Sequence, residues 1–183
     1  MNTRISLPGL RSPGVGFEQP FEMLDACHDR VRRSLQLLLD LRVYLRANGC
    51  DDSVRQAVRD VQRYFDIAAP LHHQDEELHV FPALKERCAD DADLQSLVRQ
   101  LQRDHEDMHR LWSGAVRGAL EAVAGGAQDR FTAAQESAFD AFAQCYARHL
   151  TMENEVAYPQ ARLVVDEAEQ QAMGREMAAR RQG

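Results

Sequence analysis

No stretch of this chain approaches the roughly 18–20 consecutive apolar residues that a membrane-crossing helix requires. No stretch alternates apolar and polar residues with the two-residue period of a half-buried strand either. The opening MNTRISLPGLRSPGVG is broken by proline and glycine and lacks an apolar core segment, so it is not expected to act as a secretory signal. The four cysteines, Cys27, Cys50, Cys88 and Cys145, form no CxxC pair and no regular framework. They read as reduced thiols of a cytoplasmic protein. There is no basic excess: the net charge is −7, which argues against nucleic acid as a partner, since binding phosphates needs a basic face. What remains is ordinary for one globular domain with its own core: 183 residues, 44% apolar and 28% charged.

The apolar residues recur with a helical period. From Pro20 to Asn48, Phe21, Leu24, Val31, Leu35 and Leu38 repeat at three- and four-residue steps, and Gly49 is a natural stop. Asp51, Asp52 or Ser53 is placed to cap a second helix with the stripe Val54, Val58, Val61, Phe65, Ala68, His72, Glu76. Pro70 falls inside that stripe and should bend or divide the helix. A third stripe runs from Leu94 to Val123 and ends at Gly125-Gly126, and a fourth runs from Phe131 to about Val165. The expected fold is all-α: an up-down-up-down four-helix bundle over residues 18–165, with an irregular N-terminal arm (1–17) and a short polar C-terminal tail (166–183). For that tail, interrupted by Gly174, an extra helix, a frayed end and an oligomer contact stay open.

The helices carry a repeat. His28 and His72 are separated by the same 44 residues as His105 and His149. Each second histidine opens the string His-x3-Glu-x4-aromatic-Pro, as His72, Glu76, Phe81, Pro82 and again as His149, Glu153, Tyr158, Pro159. A shift of 77 residues superimposes these positions, and the exception is His109, whose counterpart is Arg32. Residues four apart on a helix lie ~6 Å apart along the axis and differ by ~40° in heading. Each His-x3-Glu pair therefore aims an imidazole and a carboxylate at one place, and His105 with His109 aims two imidazoles. The candidate metal ligands are His28, His72, Glu76, His105, His109, His149 and Glu153. Five imidazoles and two carboxylates suit a pair of transition-metal ions.

Any one histidine on an apolar stripe is ordinarily a core residue with a hydrogen-bond partner. Seven such groups together are different, because each imperfectly paired buried ion costs several kcal/mol, whereas coordination turns the same burial into folding free energy. Two other motifs compete. His105-Glu106-Asp107-Met108-His109 matches the HExxH zinc-protease helix with Glu106 as general base, yet it leaves the symmetric partners unexplained and sets Glu106 toward solvent. Glu76-x2-His79 and Glu106-x2-His109 match ferritin-like spacing but leave five histidines without a role. His73 shifts onto Leu150, so His72 is preferred as ligand. His79 is assigned to packing, and Cys27 and Cys145 to apolar burial.

This set, spanning roughly residues 20–165, resembles the hemerythrin-like, or HHE cation-binding, domain. The resemblance implies two iron ions joined by an oxo or hydroxo bridge inside a four-helix bundle. His105, His109 and His149 would hold one iron, His28 and His72 the other, and Glu76 and Glu153 would bridge them. The two-histidine iron would then have an open position for an exogenous molecule. The animal oxygen carriers of the family place an aspartate five residues after the last histidine. Asn154 stands there in this chain, and Glu153 takes the role at four, as in bacterial and regulatory members. The expectation is a cytoplasmic non-haem di-iron protein that binds or senses dioxygen, nitric oxide or peroxide, a metal- and oxygen-binding protein more than an enzyme. A dry lining from residues such as Leu24, Phe65, Trp112 and Phe142 is expected at the site. A di-iron enzyme (peroxide-reducing or oxidase) or an iron-handling repair protein is the alternative. Known repair proteins of this group carry a further N-terminal cysteine-bearing domain, for which the stretch before residue 20 is expected to leave no room. A zinc protease is the remote alternative, and oligomeric state stays open.

Overall fold

A computed structural model describes residues 15–182, so the arm expected over 1–17 lies outside the described residues up to position 14. The described chain is 86% helix, without strands. The α-helices are α1 (Pro20–Asn48), α2 (Asp52–Arg63), α3 (Ala69–Asp75), α4 (Phe81–Arg87), α5 (Ala92–Leu111), α6 (Arg117–Ala124), α7 (Ala133–Met152), α8 (Tyr158–Val164) and α9 (Glu167–Arg180). Single π-helical turns at Tyr64–Ala68, Glu76–Val80, Trp112–Val116 and Glu153–Ala157 fuse most of these end to end. Five continuous helices result among the described residues: α1, α2–α4, α5–α6, α7–α8 and α9.

Their ends follow local chemistry. Asp51, Asp91, Thr132 and Asp166 each accept a backbone N–H of the first turn they precede, and Thr132 and Asp166 complete reciprocal capping boxes with Gln135 and Glu169. Gly49, at φ 73°, closes α1 by donating its N–H to the Leu45 carbonyl.

Prolines explain most of the π turns. A proline inside a helix lacks an N–H, and its ring collides with the carbonyl four residues back. Before Pro70, Pro82 and Pro159 the chain widens by one residue. Ala69, Phe81 and Tyr158 donate to the carbonyls five residues earlier, of Tyr64, Glu76 and Glu153. Pro70 thus neither divides nor stops the second helix; the π turn absorbs it. The turn at Trp112–Val116 has no following proline, and there the Ser113 hydroxyl donates to the His109 carbonyl. Two of the proline-linked turns begin at Glu76 and Glu153, the repeated carboxylates.

The interior holds two apolar clusters. One gathers Val31, Leu38, Phe65, Met108, Trp112, Phe142 and Tyr146; the other gathers Phe21, Leu24, Val80, Phe81, Leu101, Ala157 and Tyr158. Along each of the four long helices the chain crosses from one cluster to the other at a candidate ligand: His28 between Leu24 and Val31, His72 between Ala69 and Val80, His105 between Leu101 and Met108, His149 between Cys145 and Ala157. The ligands therefore form a polar layer sealed at both ends by hydrocarbon.

The expected C-terminal tail is the fifth helix, α9. Arg180 and Arg181 donate to the fully buried carboxylate of Asp75, each at 2.6 Å, and Arg87 pairs with Glu169. Gly174 is not a break but a close approach: a Cβ there would overlap the Phe17 carbonyl oxygen. In an open helix, Gly→Ala stabilises by about 1 kcal/mol. Here we expect the opposite sign, Gly174→Ala costing about 1–3 kcal/mol through overpacking. Thermal unfolding of the variant checks this, and a raised melting temperature would refute the tight α9 contact.

Candidate metal centre

Two overlapping groups of side chains meet in the polar layer. His28, His72, Glu76 and Glu153 form one and Glu76, His105, His149 and Glu153 the other, with the ligand atoms of each within 4.8 Å of one another. All six residues are buried. Both carboxylates belong to both groups, and each splits its oxygens between them. Glu76 Oε1 lies 3.3 Å from His72 Nε2 while Oε2 lies 3.3 Å from His105 Nε2. Glu153 Oε2 lies 3.2 Å from His28 Nε2 while Oε1 lies 3.0 Å from His149 Nε2. Each carboxylate thus offers one oxygen to each group, an arrangement able to hold cations.

The imidazoles are turned by their other nitrogens. Asn154 Oδ1 sits 2.8 Å from His28 Nδ1, and Glu77 Oε1 sits 3.0 Å from His105 Nδ1. Asp104, buried and held by Arg148, faces His149 Nδ1 at 3.7 Å, too long for a hydrogen bond but near enough for its charge to act on the ring. Carboxylate or amide partners of this kind fix ring orientation and raise ligand basicity. Asn154 and Glu77 are themselves 77 residues apart, so the repeat extends to the supporting groups. At the position equivalent to Asp104 stands Cys27, and His72 correspondingly has no partner on either nitrogen. The aromatics before the prolines complete the pattern: Phe81 stacks on His105 at 5.5 Å and Tyr158 on His28 at 5.1 Å. Only Tyr158 bears a hydroxyl, which lies 3.0 Å from His28 Nε2 and donates to Glu76.

The layer fits cations by its own unmet demands. His72 Nδ1 and Nε2, Glu76 Oε2 and both Glu153 oxygens are buried without a hydrogen-bond partner. His105 Nε2 and His149 Nε2 face each other at 3.1 Å, a pair that one proton satisfies in the metal-free chain and that a cation would satisfy in its place. Unpartnered buried polar atoms cost roughly 1–3 kcal/mol each, a cost that a bound cation would offset. Imidazole and carboxylate donors suit Fe, Mn, Zn, Co or Ni.

Of the seven predicted ligands, the structure gathers six and leaves His109 outside both groups, exposed on α5. The buried face of α5 runs through Leu101, Asp104, Met108 and Trp112, with His105 at its edge. A further ~40° of helical rotation carries residue 109 out to solvent. Glu106 is exposed as well, so the HExxH residues do not converge, and the zinc-protease geometry is missing. His79 pairs with Glu176 and Arg180 of α9, while Arg32 is half exposed against Asp29. His73, set aside on the symmetry argument, is half-buried with its ring turned inward. Its ring stacks on His105 at 4.0 Å and 12°, and its Nε2 is buried without a partner. The overlooked signal was its counterpart: Leu150 is a buried core residue, which marks position 73 as interior-facing. His73 and His109 both line a small cavity of about 70 Å³, together with Phe65, Met108, Trp112, Phe142 and Tyr146. Leu24, expected in such a lining, packs in the opposite cluster.

Comparison with known proteins agrees with this geometry. The family described as Hemerythrin HHE cation binding domain matches residues 19–177. An uncharacterized protein of Haemophilus influenzae (strain ATCC 51907 / DSM 11121 / KW20 / Rd) is 33% identical over 166 residues, covering 91% of this chain and 92% of its own length.

Two predictions follow from the charges and their supports. In the metal-free chain, burial alone would lower the pKa of His28 and of His149, but the carboxylates outweigh it. Glu153 and Glu76 raise His28 to about 9, and Glu153 and Asp104 raise His149 to about 10. Burial alone would raise Glu76, but His72 and His105 hold it well below the ordinary carboxylate range. Burial lowers His72 to about 4. The raised histidines stabilise the fold fully below their unfolded value of 6.5 and lose that contribution as pH climbs through about 9 and 10. The depressed Glu76 stabilises above its unfolded value of 4.5 and loses its contribution in acid, while His72 weakens the fold as pH drops from 6.5 toward about 4. The chelator-stripped chain should therefore melt highest near pH 6–7, and divalent metal should lift the alkaline limb by replacing protons. A stripped chain with flat melting temperatures from pH 6.5 to 10 would contradict this. Second, Asp104→Asn should weaken metal binding about 10- to 100-fold without unfolding the chain. Competition against a chromophoric chelator measures it, and wild-type affinity would deny Asp104 its orienting role.

Proposed function

Since this chain belongs to the hemerythrin HHE cation-binding family, we propose that it is a non-haem di-iron protein that binds or senses dioxygen or a related small oxidant such as nitric oxide or peroxide. The observation that carries the proposal is the sharing of Glu76 and Glu153 between two histidine pairs, each carboxylate offering one oxygen to each side. In this reading His28 and His72 would hold one iron, His105 and His149 would hold the other, and Glu76 and Glu153 would serve both. Bound iron would supply the redox electrons and a coordination position for the oxidant.

The protein's own groups set the conditions of binding. The polar layer is closed by two hydrocarbon clusters, so charged reductants and bulk water are kept from it. The cavity beside His73, walled by Phe65, Trp112 and Phe142, has room for about two waters' worth of volume. That volume and lining favour a small uncharged molecule over an organic substrate. The Tyr158 hydroxyl is the one neutral donor placed between His28 and Glu76, where it can hydrogen-bond a ligand arriving on the His28 side.

The same hydroxyl favours a second reading. A buried phenol inside a redox site can give up a proton and an electron, as a peroxide-reducing or oxidase enzyme would require. Steady consumption of oxidant with a reductant present, lost in Tyr158→Phe, would identify the enzyme. Stoichiometric uptake without turnover would identify a binding or sensing protein.

The decisive experiment is anaerobic purification without a histidine tag, metal analysis, then admission of oxygen with the visible spectrum recorded. The expected result is two irons per chain and a new ligand-to-metal charge-transfer band. A single zinc without optical response would defeat the di-iron reading. His28→Ala and His72→Ala should impair oxidant binding more selectively than His149→Ala. Full iron content with an unchanged oxygen response in His28→Ala would defeat the site assignment.

A further inference from the structure

We propose that a line of rings from the polar layer to the surface, His105, His73, Tyr146 and Trp112, carries electrons between a surface donor and the layer. This rests on the reading of the layer as a redox-active metal centre. It adds the route by which electrons arrive, since two hydrocarbon clusters close the layer to charged reductants. The His73 ring lies against that of His105, 4.0 Å away and within 12° of parallel, and Tyr146 stacks on His73 at 5.9 Å. One phenyl ring then joins Tyr146 to Trp112, by either of two paths. Phe142 lies 5.1 Å from Tyr146 and 5.8 Å from Trp112. Phe65 lies 5.6 Å and 5.2 Å from the same two rings. Trp112 ends the line: its indole N–H donates at 2.8 Å to Asp66, an exposed carboxylate that also pairs with Arg117. The 77-residue repeat shows that the line is one-sided. The counterparts of His73, Tyr146 and Trp112 are Leu150, Ala69 and Leu35, all buried and aliphatic. Packing is met by hydrocarbon at those places, and only the His105 side fills them with rings that can pass an electron.

Tyrosine and tryptophan give up single electrons more readily than phenylalanine does, and electrons pass between rings in or near contact. The chemistry balances at the two ends of the line. Peroxide becomes two waters by taking two electrons and two protons, the protons coming from solvent. Each electron drawn through the line leaves the Trp112 ring, and the indole proton moves to the Asp66 carboxylate along their hydrogen bond. A one-electron donor at the surface returns the electron, Asp66 returns the proton, and a second passage completes the pair. The donor therefore never enters the layer, and a charged or bulky reductant can serve. Without a donor, the same line gathers oxidation at Trp112, away from Glu76 and Glu153.

The test loads untagged wild type, Trp112→Phe and Tyr146→Phe with iron and measures iron per chain. Each is mixed with hydrogen peroxide, with and without ferrocyanide as the surface donor. Freeze-quenched samples are read by electron paramagnetic resonance and their peptides by mass spectrometry. Trp112 is the single tryptophan of the chain, so ring-deuterated tryptophan identifies its radical. The expected result without donor is a tryptophan radical and added oxygen on Trp112, both suppressed by ferrocyanide. Tyr146→Phe should lose most of that radical, and both variants should lose most of the ferrocyanide oxidation per bound iron. Peroxide consumed with neither radical nor added oxygen at Trp112 would overturn the proposal, and so would wild-type ferrocyanide oxidation in both variants. A chain that binds no iron, or leaves peroxide unconsumed, would defeat the redox reading of the layer and this route with it. Should Trp112→Phe fail to fold by circular dichroism, Asp66→Asn, which keeps the ring and removes the proton acceptor, takes its place. A lower radical yield there supports the route, and an unchanged yield overturns it.

Discussion

The rest of the structure depends on one electrostatic constraint: two carboxylates and four imidazoles share a layer that water does not reach. Glu76 and Glu153 are fully buried, and in the metal-free chain the surrounding histidines, with the Tyr158 hydroxyl on Glu76, offset their charge. A buried ion held by imperfect partners is a net cost. The layer therefore persists only because the apolar clusters on either side hold the helices together, and because cations can repay the burial on binding. Stability and function are thus coupled in the same residues.

Local backbone chemistry serves that layer. Pro82 and Pro159 each sit six residues after a glutamate that opens a π turn. The widened turn takes up the missing proline N–H and lets the residue before the proline, Phe81 or Tyr158, lie against a histidine ring. π turns often mark functional positions in helices. Here their cause is readable in the chain as a proline at a fixed distance. On the outer side, α9 clamps Asp75, the residue directly before Glu76, with two arginines. The fifth helix therefore braces the element that carries one bridging carboxylate.

The repeat accounts for the symmetry of the site, and its lapses account for the chemistry. Glu77 and Asn154 occupy equivalent positions and both orient a histidine. Asp104 faces His149, whereas Cys27 in the equivalent place leaves His72 unsupported. Phe81 and Tyr158 stack alike, yet one brings a hydroxyl. Leu150 is buried and apolar, while its half-buried counterpart His73 brings an imidazole. These replacements make the two halves of the layer chemically unequal.

By itself the sequence determined the helical class, the helix stop at Gly49, a cap within Asp51–Ser53, and the six residues that converge in the layer. These features depend on short-range periods and on a 77-residue repeat, both properties of the linear chain. Only the tertiary structure leaves His109 outside the converging groups and lays the His73 ring against His105. Helical period says which residues share a face, but not where the edge of that face falls, and His105 lies at the edge. It also decided that Gly174 is a contact with Phe17 and not a break, and that Asn154 orients His28 across the bundle. Those outcomes rest on distances between helices far apart in sequence, which no periodicity along one helix contains.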